Sequence, residues 1–101
     1  MPQNVPSGWT LEGNALTRTI ARADFVEALA LVLEIGRMAE GANHHPDIKI
    51  HHYRQVHVSL CTHSAGNTVT DKDFALAEEI NDLSEERIRL ITDELRLRFV
   101  A

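Results

Sequence analysis

Glu40-Gly-Ala-Asn-His-His-Pro-Asp-Ile-Lys-Ile-His-His-Tyr-Arg-Gln-Val-His-Val-Ser-Leu-Cys-Thr-His63 is the stretch that decides how this chain is read. All six histidines fall within it: His44, His45, His51, His52, His57 and His63. Imidazole is the side chain whose unperturbed titration lies nearest physiological pH, so this crowding points to proton transfer or to metal binding. The stretch also dictates local structure. Pro46 biases His45 out of the helical region, so His44-His45-Pro46-Asp47 forms an extended exit and both imidazoles sit at the carbonyl end of a preceding helix. Beyond it, Ile48 to His52 and Val56 to Thr62 read as a hairpin across Tyr53-Arg54-Gln55. Val56, Val58 and Leu60 alternate there with His57, Ser59 and Cys61.

Upstream, Asp24 and Glu27 have the spacing of a capping box, which predicts a helix from about Ala23 to Ala42 with a stop near Gly41. Phe25, Leu29, Val32, Gly36 and Ala39 line one face, and Leu31, Ile35 and Met38 form a second apolar strip. So wide an arc calls for a second helix or a partner subunit. Trp9 to Leu11 and Ala15 to Ile20 flank Gly13-Asn14 as another hairpin. Two prolines, a serine and a glycine make Met1 to Gly8 an irregular, flexible start. Downstream, Ser64 to Val69 is a polar loop. Thr70 with Asp73 opens a helix carrying Phe74, Ala77 and Ile80. After a break at Asn81 to Ser84, Asp82 with Glu85 caps a further helix with Ile88, Ile91, Leu95 and Phe99 on one side. The order ββαββα plus a C-terminal helical extension (83–101) gives an α+β fold, a four-stranded antiparallel sheet with helices packed on one face. One sheet face and the outer strands stay open, so a homodimer or homotetramer is expected.

With 101 residues, 44% of them hydrophobic, the chain can bury one modest core, and a single domain over 1–101 is expected. A net charge of −5 and scattered Lys/Arg argue against nucleic acid or an anionic membrane as partner. The one cysteine, Cys61, cannot form an internal disulfide, and the N-terminus lacks a secretory pattern, so a cytoplasmic protein is expected. The longest apolar run, Ala28 to Leu33, is too short to span a bilayer.

Glu40-Gly-Ala-Asn-His44-His45-Pro46, then Tyr53, then Thr62-His63 resembles the signature of the pterin-4a-carbinolamine dehydratase family. Gly8-Trp9, Asp24-Phe25, Ala39-Glu40, Thr70-x-x-Asp73 and Leu76-Ala77 follow the same pattern in the same order, so the resemblance runs from roughly Gly8 to Ile80. The chain departs from it twice. Ser-Ala-Gly-Asn-Thr-Val-Thr after His63 lacks the usual Gly-Gly-Leu. The helix that family members often carry before Gly-Trp, with a sequence like Leu-Ser-x-Glu-Glu-Arg, is missing at the start. Leu83-Ser84-Glu85-Glu86-Arg87 stands near the other end, so the C-terminal helix is expected either to take that position or simply to extend an amphipathic helix.

The resemblance implies dehydration of a 4a-hydroxytetrahydropterin to the quinonoid dihydropterin, which restores the pterin after aromatic amino-acid hydroxylation, with no metal or other cofactor. Loss of a tertiary hydroxyl needs one proton delivered to the leaving oxygen and one removed from the neighbouring nitrogen, both within reach of imidazole. By the family pattern, His44 and His63 are the expected proton-transfer pair and Glu40 the residue that orients His44. His45, Pro46 and Thr62 would contact the substrate. Taken singly, His44 is more often a helix-end cap, Tyr53 a turn residue, Asp73 a helix-start carboxylate and Cys61 a packing residue. His51, His52 and His57 fall outside the matched positions, and His52 is expected to be the most buried of the three. A zinc site of His44, His45 and His63 is a weaker alternative, because adjacent residues of an extended segment point to opposite sides. A non-enzymatic protein-binding or assembly module is the other, since the family also includes a dimerisation cofactor of a homeodomain transcription factor and assembly chaperones of carbon-fixation enzymes.

Overall fold

The computed structural model describes residues 4–99, so the first three residues of the expected flexible start and the last two of the expected C-terminal helix lie outside it. The elements run β1 (Thr10–Glu12), β2 (Ala15–Ala21), α1 (Phe25–Ala42), β3 (Asp47–His51), β4 (Gln55–Leu60), α2 (Asp71–Asn81) and α3 (Glu85–Phe99). A short 3-10 turn, His63–Ala65, lies in the loop before α2. The four strands form one antiparallel sheet in the order β1-β2-β4-β3, an α+β architecture as expected.

Register puts the apolar positions of three strands on one face. Leu16 lies opposite Leu60, Ile20 and Ile50 flank Val56, and Ile48 lies opposite Val58. Leu16, Val56, Val58 and Leu60 are wholly buried. Each such side chain contributes about 1.5–3 kcal/mol relative to exposure. The other face carries Thr17, Thr19, Lys49, His57 and Ser59, exposed or half-buried, so the uncovered side of the sheet is polar. The hairpin turns fall where their backbone can be tolerated. Gly13 turns β1 into β2 at φ +56°. The β3–β4 turn sits one residue earlier than expected, with His52 and Tyr53 both at positive φ.

Asp24 caps α1 by accepting from the Glu27 N–H at 2.9 Å. Leu31, Ile35 and Met38 join Ala28 and Ala39 in the core, whereas Phe25 and Leu33 remain about half exposed, at 48% and 53%. The second of the two apolar strips on α1 is thus buried throughout, whereas the first is buried at Ala39 and packs against the core at Val32. The second helix that the wide arc called for is α3, which packs along α1 with Ile88 and Thr92 buried. Charged groups tie the pair: Arg87 donates to Glu34 at 2.8 Å, Arg22 to Glu85 at 2.9 Å and Arg96 to Asp24 at 2.7 Å. The start of α3 differs from expectation. Ser84 accepts from the Arg87 N–H, while Asp82 closes the end of α2.

Asn81 anchors the opening of the chain to this framework. Its side-chain oxygen accepts from the Trp9 indole at 2.9 Å and from Arg18, and its amide donates to the Ser7 carbonyl at 2.9 Å. Pro6 and Trp9 are buried as a result.

Candidate active site

The end of α1 places the first histidines. Asn43 adopts the left-handed conformation at φ 49°, its N–H donates to the Glu40 carbonyl at 3.2 Å, and the His44 N–H donates to the Ala39 carbonyl at 3.0 Å. These two bonds make a Schellman motif, which satisfies the last carbonyls and turns the chain out of the helix axis. The helix thus ends at Ala42, as expected, and His44 leaves at a set angle.

His44 then reaches α2. Its Nε2 lies 2.5 Å from Oδ1 of Asp73, and Asp73 has no solvent exposure. The other oxygen, Oδ2, accepts from the Thr70 backbone N–H at 2.9 Å and from the Thr62 hydroxyl at 2.7 Å. Thr62 and Thr70 also share a hydroxyl–hydroxyl bond of 2.6 Å. Asp73 thus closes the capping box of α2 and holds a histidine with its second oxygen. A buried carboxylate must be satisfied in this way, because leaving it unpaired costs several kcal/mol. With the carboxylate as acceptor, His44 carries a hydrogen on Nε2.

His63 comes from the end of the sheet. The chain leaves β4, pairs Thr62 with Thr68 through a backbone bond of 2.8 Å, and wraps His63 to Ala65 into the 3-10 turn. Asn43, His44, His45, Thr62, His63, Ser64 and Lys72 line one cleft of about 320 Å³. His44 and His63, 19 positions apart in sequence, therefore face a common space.

One expected geometry is corrected. Glu40 does not orient His44: its carboxylate bonds Nε2 of His45, and both of those side chains are exposed. The orienting group of His44 is Asp73, whose spacing from Thr70 marks it only as a helix-start carboxylate. Thr62 lines the cleft, but its hydroxyl is committed to Asp73 and Thr70. Glu40 and Pro46 are absent from the cleft lining, and Pro46 is half-buried. Lys72 is present there, one residue before Asp73, a position that no motif spacing marks.

The remaining histidines stand elsewhere. His51 and His57 are half-buried on the open sheet face, and His52, expected to be the most buried of the three, is exposed at the turn. Lost hydration, with His52, Lys49 and His57 nearby, pushes His51 below the usual imidazole range. Among the described residues no three His, Cys, Asp or Glu side chains gather as a metal site. No helix among them is long and apolar enough to cross a membrane. A second cleft, of about 360 Å³, lies between α1 and α3, but its main charges already pair: Arg22 with Glu27 and Glu85, Arg96 with Asp24.

Residues 2–83 match the family model described as pterin 4 alpha carbinolamine dehydratase. A protein of Thermomicrobium roseum, provisionally named a pterin-4-alpha-carbinolamine dehydratase, is 45% identical over 82 residues, covering 81% of this chain and 85% of its own. One of Trichormus variabilis with the same provisional name is 49% identical over 78 residues, covering 77% and 82%. Among solved structures, a transcriptional coactivator/pterin dehydratase from Brucella melitensis superposes with a TM-score of 0.66 at 35% identity, covering 75% of this chain and 81% of that one. A pterin dehydratase-like RuBisCO assembly factor of the alpha-carboxysome shares the fold at a TM-score of 0.58 and 15% identity, over 73% and 83%. On the match across residues 2–83 and these identities, this chain belongs to the pterin-4-alpha-carbinolamine dehydratase family.

Proposed function

We propose that this protein dehydrates a 4a-hydroxytetrahydropterin to the quinonoid dihydropterin and water by histidine acid–base catalysis. The observation that carries this reading is the common cleft of His44, His45 and His63, with His44 held by a buried carboxylate. One imidazole delivers a proton to the 4a hydroxyl, the C4a–O bond breaks, and water leaves. The other takes the proton from the adjacent ring nitrogen, whose bonding pair becomes the C=N bond. One proton enters and one leaves, so the reaction needs no redox partner. Positioned acid–base groups contribute about 10² to 10⁴ in rate.

His44 and His63 are the proposed proton-transfer pair. His45, steadied by Glu40, flanks the pterin ring, Thr62 acts by fixing Asp73, and Pro46 sets the extended exit that presents both imidazoles. Lys72 supplies positive charge at the rim. We read α3 as filling the place of the helix that family members carry ahead of Gly-Trp, since Ile88 and Trp9 belong to one buried cluster. The protein would work in the cytoplasm beside an aromatic amino-acid hydroxylase.

A second reading, a protein-binding or assembly module, draws support from the half-exposed Phe25 and Leu33 on α1. These side chains and the open edges of β1 and β3 suit a homodimer or homotetramer. The deciding experiment follows loss of 4a-carbinolamine absorbance by stopped flow. Acceleration by the protein, lost in both His44→Ala and His63→Ala, is the expected result. A rate equal to the uncatalysed one would leave the binding role alone.

A further inference from the structure

The loop after His63 is one of the two places where this chain departs from the family pattern, and it supplies a partner for that histidine. Gly66 and Asn67 are both left-handed, at φ 81° and 59°. Ala65 N–H and Asn67 N–H donate to the Thr62 carbonyl at 3.2 and 3.1 Å, and Gly66 N–H donates to the His63 carbonyl at 3.1 Å. With the Thr62–Thr68 pairing, these bonds fix the loop before any side chain is considered. Asparagine is the non-glycine residue best suited to a left-handed position. From there the side-chain oxygen of Asn67 reaches Nδ1 of His63 at 2.7 Å. A glycine at this position would give the ring nothing to bond.

We infer that Asn67 is a positioning residue that holds His63 in the Nδ1–H tautomer, leaving Nε2 as the atom that takes the proton from the pterin ring nitrogen. An amide oxygen can only accept, so Nδ1 must carry the hydrogen. A free neutral histidine in water prefers its hydrogen on Nε2, so the loop overrides the ring's own preference. Asp73 holds His44 the other way, with the hydrogen on Nε2. The two imidazoles thus offer unlike nitrogens: in the proposed reaction His44, doubly protonated, delivers the hydrogen of Nδ1 to the 4a hydroxyl while Nε2 of His63 takes the ring-nitrogen proton. This inference rests on the proposed dehydration for its catalytic half; the tautomer itself can be read on the protein without substrate.

The test uses the full chain with Asn67→Gly, which suits the left-handed backbone, and Asn67→Asp, which keeps an acceptor. ¹⁵N-resolved NMR of the neutral His63 ring is expected to report Nδ1–H in the wild type, movement toward Nε2–H in Asn67→Gly, and return to Nδ1–H in Asn67→Asp. Turnover of the carbinolamine is expected to fall about 3- to 10-fold in Asn67→Gly with KM unchanged, the rate equivalent of one neutral hydrogen bond, and to recover in Asn67→Asp. A wild-type His63 in the Nε2–H form overturns the inference, as does a tautomer change in Asn67→Gly with unaltered turnover. If His63→Ala dehydrates normally, the proposed function of His63 fails, and the NMR result still decides whether Asn67 holds the ring.

Discussion

The carboxylate of Asp73 meets the imidazole of His44 at 2.5 Å across the junction of α1 and α2, and it is wholly buried. One side chain thereby starts a helix and orients a cleft histidine that lies 29 positions earlier in the sequence. Asp73→Asn would set an amide N–H against either the Thr70 N–H or the His44 ring. Hydrogen bonds to charged groups are worth about 1.5–3 kcal/mol, so turnover is expected to drop about 10- to 100-fold and stability by about 1–3 kcal/mol. Stopped-flow turnover and urea melts of the same preparation check both; full activity with lowered stability would reduce Asp73 to a capping role.

Asn43 controls where His44 goes. A β-branched residue at φ 49° meets its own carbonyl, at a cost of about 1–2 kcal/mol, so Asn43→Val is expected to lose that stability and to misplace His44. Asn43→Gly accepts the same backbone and should retain near-normal turnover. Equal behaviour of the two variants in thermal melts and turnover would show that the helix stop does not set the histidine.

The fold was largely legible because its signals are local. Alternation in Val56 to Leu60, the Asp24 and Thr70 caps, and Gly13 in a two-residue turn each act within a few residues. The site was legible only where a family pattern supplied long-range information. Glu40 and His44 are spaced as one helical turn, which made them look like partners. The left-handed Asn43 takes His44 off the helix and brings His45 to Glu40 instead. Asp73 was masked because Thr70-x-x-Asp73 explains itself as a capping box, and nothing in the spacing shows the use of its second oxygen. Periodicity marked two apolar strips on α1 but could not say which met the sheet. That depends on α3, whose Arg87 reaches Glu34 from 53 positions away.

Glu34 gives the protein an acid-sensitive joint. Its side chain is 1% exposed, and hydrogen bonds from Arg37 first, then Arg87, hold its carboxyl below the usual carboxylate range. A carboxyl lowered in the folded state adds stability that is complete above its unfolded range and disappears as pH falls through the folded value. The melting temperature of the wild type is expected to fall on acidification below the ordinary glutamate range. Glu34→Gln should lose about 1–3 kcal/mol at neutral pH and show a shallower decline. Parallel curves for the two proteins in thermal melts between pH 7 and pH 3 would mean that Glu34 is not the group responsible.

Glu40 is expected to matter little. Its bond to His45 joins two side chains that are 77% and 57% exposed, and pairs in that setting contribute about 0–1 kcal/mol. Glu40→Ala should therefore cost less than about 10-fold in turnover, while His44→Ala and His63→Ala each cost about 10² or more. Steady-state kinetics of the three variants side by side decide this, and a Glu40 effect as large as that of His44 would restore Glu40 as the group that orients the proton-transfer histidine.

Helix α3 lies outside the residues shared with the family model, yet Ile88 is 1% exposed within the central cluster. Truncating such a side chain loses its transfer energy and leaves a cavity, so Ile88→Ala is expected to cost about 2–4 kcal/mol. Because Ile88 lines none of the histidine cleft, the folded fraction should turn over substrate at the wild-type rate below its lowered melting point. Chemical denaturation paired with turnover per folded molecule separates the two effects. Unchanged stability would mean that α3 is not part of the core. Normal stability with reduced turnover would mean instead that the helix acts on the cleft, through the Glu34–Arg87 bridge to α1 and the residues that set its C-terminal end.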